Sequence, residues 1–121
     1  MKAVDTGKDA ESQACDYLQA QGLSLLTRNF RSRHGEIDLV MNDGQSLVFI
    51  EVRYRSGIAF GTGAESVDRR KQARITASAQ YYLLNNPAAS QRPCRFDVVA
   101  ISGAGERRNI QWIRDAFPAL G

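Results

Sequence analysis

Three carboxylates lie in a segment whose other residues predict β-strands. In HGEIDLVMNDGQSLVFIEVRYR, from His34 to Arg55, Glu36, Asp38 and Glu51 stand among apolar residues. Carboxylates inside a half-buried strand are costly unless cations pair with them or a metal ion binds them. Oxygen ligands of this kind suit Mg²⁺ or Mn²⁺. The segment therefore predicts a site for a divalent metal ion.

Whether these carboxylates meet depends on the register of the hairpin that carries them. Asp-Gly between two apolar runs is a strong signal for a tight turn, and Asp43-Gly44 occupies that place. With these two as the turn residues, Asp38 lies opposite Phe49. Asp38 and Glu51 are then diagonal neighbours on one face, with backbones about 7–8 Å apart. An odd loop would instead move Asp38 to the other face.

Ordinary ion pairing is the alternative explanation for the carboxylates. Arg33, Arg53 and Arg55 lie in or next to the same strands and can neutralise them without any metal ion. The spacing alone leaves both interpretations open.

Positive charge is concentrated in two segments that contain no acidic residue. One runs from Arg28 to Arg33, and the other opens a predicted helix whose N-terminus could also receive a phosphate. Such clusters hold phosphates by Coulomb attraction and counterion release, although a solvated cationic face has the same composition. The residues predicted to contact nucleic acid are Arg31, Arg33, His34, Arg70, Lys71 and Arg74.

Length and composition indicate one globular domain over residues 1–121. The net charge is +3, and the two cysteines, Cys15 and Cys94, lack the spacing of a zinc site, which predicts buried thiols. The N-terminus does not resemble a signal peptide, and no apolar run is long enough to span a bilayer. We therefore expect a cytoplasmic protein without a membrane partner.

A mixed α/β domain must position the carboxylates and the basic clusters. Apolar spacing and turn residues predict helices at 6–21 and 66–85 and strands at 23–30, 35–41, 46–54, 94–102 and 109–117. The order is αβββαββ. A glycine-rich loop is predicted at 55–65, and it lacks the spacing of a phosphate-binding P-loop, which excludes nucleotide hydrolases of that class.

The residues G-E-I-D-L-V, a turn, and F-I-E-V-R resemble the D…(D/E)xK signature of the restriction-endonuclease-like fold. That fold has a three-layer core, αβββαβ, with a mixed central β-sheet flanked by helices. Over nearly its whole length the chain more closely resembles the YraN-like uncharacterised protein family 0102, which looks related to Holliday-junction resolvases and tRNA-splicing endonucleases. Outside the hairpin the resemblance includes Glu11-x-x-Ala14-x-x-Tyr17-Leu18, Asn29-Phe30-Arg31, Phe60-Gly61, Glu65-Ser66-Val67, Lys71 and Arg95-Phe96-Asp97-Val98-Val99.

By position, the resemblance implies a set of site residues. Asp38 and Glu51 would be the metal carboxylates, and the backbone carbonyl of Val52 would be a further ligand. Glu11 matches a glutamate that resolvase-like members supply from the first helix, with an exposed helix residue as the alternative. Arg53 stands where the signature has lysine, and arginine cannot act as a general base. It would steady a phosphate and complete the catalytic set with Asp38 and Glu51.

These features predict a nucleic-acid-binding protein, with DNA favoured over RNA. Its catalytic form would be a Mg²⁺- or Mn²⁺-dependent nuclease that hydrolyses phosphodiester bonds with metal-activated water. Two alternatives stay open: a non-catalytic DNA- or RNA-binding module on the same scaffold, and an adaptor whose basic helix meets an acidic protein.

Overall fold

The structure, a computed structural model, describes residues 6–55, 67–103 and 108–118, without the side chains of residues 6–8 and 55. Its helices and strands, in chain order, are α1 Thr6–Ala20, β1 Ser24–Ser32, β2 Gly35–Asp43, β3 Ser46–Arg55, α2 Arg69–Asn85, β4 Cys94–Ser102 and β5 Asn109–Phe117. A short 3₁₀ helix, Ala89–Gln91, precedes β4. The predicted order αβββαββ is confirmed. Nearly all of the predicted glycine-rich loop at 55–65 lies outside the described residues.

A five-stranded mixed sheet in the order β1-β2-β3-β4-β5 forms the middle layer. β3 and β4 are parallel, and the other neighbouring strands are antiparallel. A parallel pair needs a crossover connection, and the segment containing α2 supplies it. One apolar cluster joins α1 to residues such as Leu39 and Ile50, and the other joins α2 to residues such as Val40 and Phe49. The helices therefore cover opposite faces, as the predicted α/β fold requires.

Each helix buries the stripe of residues that its spacing predicts. Ala10, Ala14 and Leu18 of α1 are buried, as are Ile75 and Ala79 of α2. Residues at i, i+4 and i+8 share one face of a helix, so each stripe meets the sheet along a single line. This packing fixes the direction in which the polar residues beside each stripe point.

Asp68 sets the start of α2. Its side chain accepts a hydrogen bond from the Lys71 backbone N–H at 2.8 Å, and the helix begins at Arg69 rather than at the predicted Ser66. The capping carboxylate satisfies an N-terminal donor and supplies the negative charge that this helix end favours. A phosphate bound at this N-terminus would compete with the Asp68 carboxylate and would be repelled by its charge. The structure therefore argues against the suggested phosphate site.

The β2–β3 register differs from the predicted one by two residues. Asp43 pairs with Ser46, so that Gly44 and Gln45 form the turn. Gly44 has φ 61°, the positive value that a two-residue hairpin turn needs at its first central position. Asp43 stays in the strand because its carboxylate accepts a hydrogen bond from Arg95 Nη2 of β4 at 2.7 Å. The predicted Asp43-Gly44 turn is therefore wrong.

The shift nevertheless keeps the two central carboxylates on one face. An even shift leaves every side chain on its predicted side of the sheet. The paired register extends only to Leu39 opposite Ile50, and Phe49 pairs with Val40 instead of the predicted Asp38. The Asp38 and Glu51 side chains nevertheless meet in a hydrogen bond, as their predicted shared face requires.

β2 is distorted at Asp38. In the pairing of β1 with β2, no partner is assigned to Asp38. In the pairing of β2 with β3, the paired residues run from Leu39 to Asp43 and do not include Asp38. Ile37 and Val40 lie in the same apolar cluster, although strict alternation would place them on opposite faces. The regular pairing of β2 with β3 therefore stops at Asp38, and the Asp38 carboxylate instead accepts a hydrogen bond from the Val52 N–H of β3.

A fully buried carboxylate on β4 fixes the path of β5. Asp97 is 0% exposed, and it accepts hydrogen bonds from Arg95 Nε at 3.0 Å, Trp112 Nε1 at 2.8 Å and the Asp115 backbone N–H at 2.9 Å. Asp115 has φ 52°, and the β4–β5 register shifts in this region. The Asp97 carboxylate therefore stabilises an irregular strand while its own charge stays paired.

The two cysteines are free thiols that differ in burial. Cys15 is a buried free thiol, as predicted, and Cys94 is a free thiol that is only partly buried. No helix within the described ranges combines the length and the apolar character that crossing a membrane requires.

We expect Asp97→Ala to lower the free energy of unfolding by about 2–4 kcal/mol, because it removes the buried acceptor of the Trp112 indole and of the Asp115 N–H, while Arg95 keeps its pairing with Asp43. Urea denaturation would measure the loss. Asp16→Ala, at an exposed position of α1, is the control and should change stability by no more than about 0.5 kcal/mol. Equal stabilities for the two variants would contradict the anchoring role of Asp97.

Candidate functional site

A cleft of about 400 Å³ opens where β2 and β3 meet residues from both helices. It lies beside the distortion at Asp38. Its charged lining residues within the described part of the chain are Glu11, Glu36, Asp38, Glu51, Arg53, Lys71 and Arg74. The structure thus brings together the predicted catalytic residues Asp38, Glu51 and Arg53 with the predicted metal residue Glu11.

Asp38 and Glu51 face each other at the base of this cleft. Glu51 is only 4% exposed, and Asp38 is half-buried. Burial first, and then the charge of Glu51, raise the pKa of Asp38 to about 8. The two carboxyl groups are linked by a hydrogen bond, and this arrangement favours one proton shared by the pair. A buried pair of carboxylates is tolerated here because only one of them is charged.

The backbone of Val52 also faces Asp38. Its N–H donates a hydrogen bond to Asp38 Oδ2 at 2.8 Å, which lowers the Asp38 pKa against the larger effect of burial. In a strand, the N–H and C=O of one residue point towards the same neighbouring strand. The Val52 carbonyl should thus lie on the Asp38 side, and its role as a metal ligand stays a prediction.

Glu11, Glu36 and Asp38 form a second group of carboxylates, drawn from α1 and β2. One carboxylate oxygen from each lies within 4.8 Å of the others. Burial and the nearby charge of Glu36 raise the pKa of Glu11. The sequence placed Glu36 on the site face without assigning it to the metal. Its position i−2 from Asp38 was the available signal, because alternate strand residues share a face.

Asn29 of β1 lies between two of these carboxylates. With its amide nitrogen turned towards them, it donates to Glu11 Oε1 at 2.9 Å and to Glu36 Oε1 at 2.8 Å. The opposite orientation would set the amide oxygen against two acceptors. Its φ is 53°, a left-handed value that asparagine accepts more readily than most residues. Sequence reasoning gave Asn29 no role, because nothing local marks the contact.

Lys71 supplies the nearest cation to Glu51 that we find among the described residues. Its Nζ lies 2.8 Å from Glu51 Oε2, whereas Arg53 Nη1 lies 3.7 Å from the same oxygen. Lys71 was predicted to contact phosphates, and the structure directs it into the cleft instead of leaving it on the outer face of α2. The ion-pair alternative thus holds for Glu51, with a lysine as the closer partner.

Arg33 and His34 lie at the tip of the β1–β2 hairpin, and both are exposed. They form the two-residue turn between Ser32 and Gly35. Ser32 Oγ lies 2.9 Å from Ser78 Oγ of α2, which fixes this turn against the helix.

Arg74 of α2 stands next to that turn, and Arg70 lies one helical turn before it on the same side of the helix. Arg70 and Arg74 are exposed, and Arg74 also lines the cleft. A Cβ added at Gly35 would lie 3.4 Å from the Arg74 Cβ, so the turn and the helix are in close contact. We call the set formed by Arg33, His34, Arg70 and Arg74 the basic rim. Arg31, the remaining predicted phosphate contact, is exposed and pairs with Glu36 at 3.5 Å.

Comparison with known sequences gives consistent matches over most of the chain. The sequence model for "Uncharacterised protein family UPF0102" matches residues 10–101. A UPF0102 protein of Nitrosococcus oceani is 54% identical over 113 residues, which cover 93% of this chain and 91% of the relative. One from Pseudomonas putida is 49% identical over 112 residues, covering 92% and 91%, and one from Stutzerimonas stutzeri is 48% identical over 116 residues, covering 96% and 97%.

We expect the metal-free protein to lose stability as the pH rises. The pKa of Asp38 is raised from 3.8 to about 8, so between these values the folded state binds more protons than the unfolded state. The free energy of unfolding must then fall with rising pH. Asp38→Asn keeps a hydrogen-bonding side chain without the titration and should flatten this dependence.

Urea denaturation in a chelator, from about pH 5 to about pH 9, would measure the effect. Asp16→Asn, at an exposed position, is the matched control and should behave as the wild type does. A pH dependence that is unchanged in Asp38→Asn would show that Asp38 does not hold the proton.

Proposed function

This chain belongs to the uncharacterised protein family UPF0102, and we propose that it binds nucleic acid and hydrolyses phosphodiester bonds of DNA with Mg²⁺ or Mn²⁺ held in the cleft. One observation carries the proposal. Four carboxylates and a lysine converge in one cleft, and the basic rim borders it. The expected cytoplasmic location is part of this proposal.

The donor set fits a hard divalent cation. Three carboxylate oxygens lie within 4.8 Å of one another, and burial and the charge of Glu51 raise the pKa of Asp38. A divalent cation favours the ionised form of such groups and offsets their repulsion. Glu11, Glu36, Asp38 and Glu51 would hold the cation. When bound, it would polarise a phosphoryl oxygen and lower the pKa of a coordinated water.

Lys71 would supply the amine that the sequence signature places on β3. Its Nζ, 2.8 Å from Glu51 Oε2, sits beside the carboxylates, where it can donate to an attacking water or to a phosphate oxygen. Arg53 stays charged at any accessible pH and would add electrostatic stabilisation without accepting a proton. Glu51 would orient the Lys71 and Arg53 side chains.

The basic rim would hold the phosphate backbone beside the cleft. Arg74 both belongs to the rim and lines the cleft, so a strand bound along the rim would pass the carboxylates. Arginine binds phosphate oxygens through two parallel hydrogen bonds, which fixes the register of a strand as well as attracting it. The preference for DNA over RNA rests on the resemblance to Holliday-junction resolvases.

A non-catalytic nucleic-acid-binding module is the second candidate. Lys71 and Arg53 already neutralise Glu51 within the protein, so the fold does not depend on a metal ion to pair this charge. In that case the basic rim would bind nucleic acid, and the carboxylates of the cleft would only hold neighbouring basic side chains in position. The adaptor alternative instead relies on Tyr81 and Leu84 of α2, which are 45% and 78% exposed.

We expect Mn²⁺- or Mg²⁺-dependent cleavage of at least one substrate in a panel of branched and linear DNA. Glu51→Gln and Lys71→Ala should each slow cleavage by about 10²-fold or more, because each removes a group that acts on the reacting phosphate or its metal. Arg69→Ala, exposed on the same helix, is the matched control for Lys71→Ala. Urea denaturation would confirm that all variants are folded.

The same panel separates the two candidates. Cleavage that survives in both Glu51→Gln and Lys71→Ala would exclude this cleft as the active site. Binding without metal-dependent cleavage of any substrate would favour the non-catalytic module.

We expect the basic rim to account for the salt dependence of DNA binding. Arg70→Ala and Arg74→Ala should each weaken binding and flatten the slope of log affinity against log salt by about 0.9, because each removes one phosphate contact. Arg114→Ala is the matched control, because it removes one exposed positive charge from β5. Fluorescence anisotropy at several salt concentrations would measure the slopes. If Arg70→Ala and Arg74→Ala have the same salt slope as the Arg114→Ala control, the basic rim is not the DNA-binding surface.

A further inference from the structure

We propose that Asn29 is a positioning residue that holds Glu11 and Glu36 in the arrangement in which they bind the divalent cation. This inference rests on the proposed function, because it presumes a cation in the cleft. Asn29 would act through its hydrogen bonds to the two proposed ligands.

The contact joins three separate elements of the fold. Glu11 comes from α1, Glu36 from β2, and Asn29 from β1. The single amide group has two N–H bonds and directs one at each carboxylate, at 2.9 Å and 2.8 Å. Hydrogen bonds from a neutral amide to ionised carboxylates are stronger than those between neutral groups. Asn29 thus links β1 to α1 through Glu11 and to β2 through Glu36, the two proposed metal ligands.

The geometry of the carboxylates makes such a donor necessary. Glu11 and Glu36 offer oxygens within 4.8 Å of each other, and the negative charge of Glu36 raises the pKa of Glu11. Without the Asn29 donor, only the exposed Arg31 among the described residues would hold Glu36, and the two half-buried glutamates would repel each other. Binding of a cation would then have to order both side chains, and the entropy lost in ordering them would weaken the binding.

The backbone of Asn29 is held in an uncommon conformation at this point. Its φ is 53°, and in the β1–β2 register it lies opposite the skipped position of Asp38. Left-handed backbone in the middle of a strand costs free energy and is concentrated at functional sites. Asparagine is one of the few residues that combine tolerance of this conformation with two donors on a short side chain.

Asn29→Gly is the informative substitution. Glycine accepts the left-handed backbone and lacks the amide, so the change removes the donors without adding backbone strain. We expect its Mn²⁺ dissociation constant to rise about tenfold or more, the usual effect of losing a group that orients metal ligands. Isothermal titration calorimetry on the whole chain, without nucleic acid, would measure it. Asn29→Ser, which keeps one donor, should fall between Asn29→Gly and the wild type.

Asn42→Gly is the matched control. Asn42 Nδ2 donates to Ser24 Oγ, so it also links β1 to β2, but outside the cleft. A purely structural role of Asn29 predicts that both glycine variants lose stability and keep their Mn²⁺ affinity. A positioning role predicts that only Asn29→Gly loses affinity.

Glu36→Gln tests whether Asn29 acts through the carboxylates. If it does, the affinity lost on Asn29→Gly should be smaller in the Glu36→Gln background than in the wild type. Equal affinities of Asn29→Gly and the wild type, or the same loss in both backgrounds, would overturn the positioning role and leave the proposed function standing. A wild type that binds no Mn²⁺ at millimolar levels would overturn both.

Discussion

The opposition of two carboxylates, Asp38 and Glu51, is the constraint on which the rest of the site depends. Two negative charges cannot occupy this half-buried position together, and the protein meets the conflict in several ways at once. The pKa of Asp38 is raised, the Val52 N–H donates to the Asp38 carboxylate, and Lys71 pairs with Glu51. The regular pairing of β2 with both of its neighbours is interrupted at Asp38. Each of these features would be unnecessary around an apolar pair.

The sequence predicts much of the fold because the deciding signals are local. Helical stripes such as Ala10 and Ala14 depend on spacing within one element, and so does strand alternation. The turn of the β2–β3 hairpin was misplaced because its position is decided by the ion pair between Asp43 and Arg95, two residues far apart in the chain. The face of Asp38 was nevertheless predicted correctly, because the error was an even number of residues.

The site was predicted less completely than the fold, since several of its parts come from distant elements. Glu11 was identified only through the resemblance to resolvases, and no local pattern ties it to β2. Lys71 was recognised as part of a basic cluster, but only the packing of α2 against the sheet brings it to Glu51. Asn29 was missed because its role depends on a contact between three elements. Local periodicity carries no information about contacts of this kind.

The order of these residues along the chain also sets when the site can exist. All four carboxylates precede β4 and α2, so a growing polypeptide contains them before it contains the amine that neutralises Glu51. β3 gains its parallel neighbour only after residue 94 has been made. During synthesis the acidic residues therefore have only earlier partners, such as Arg31 for Glu36 and Arg53 for Glu51, and the cleft is complete only after α2 has been made. A nascent chain would thus lack the lysine of the cleft until most of the domain has been made.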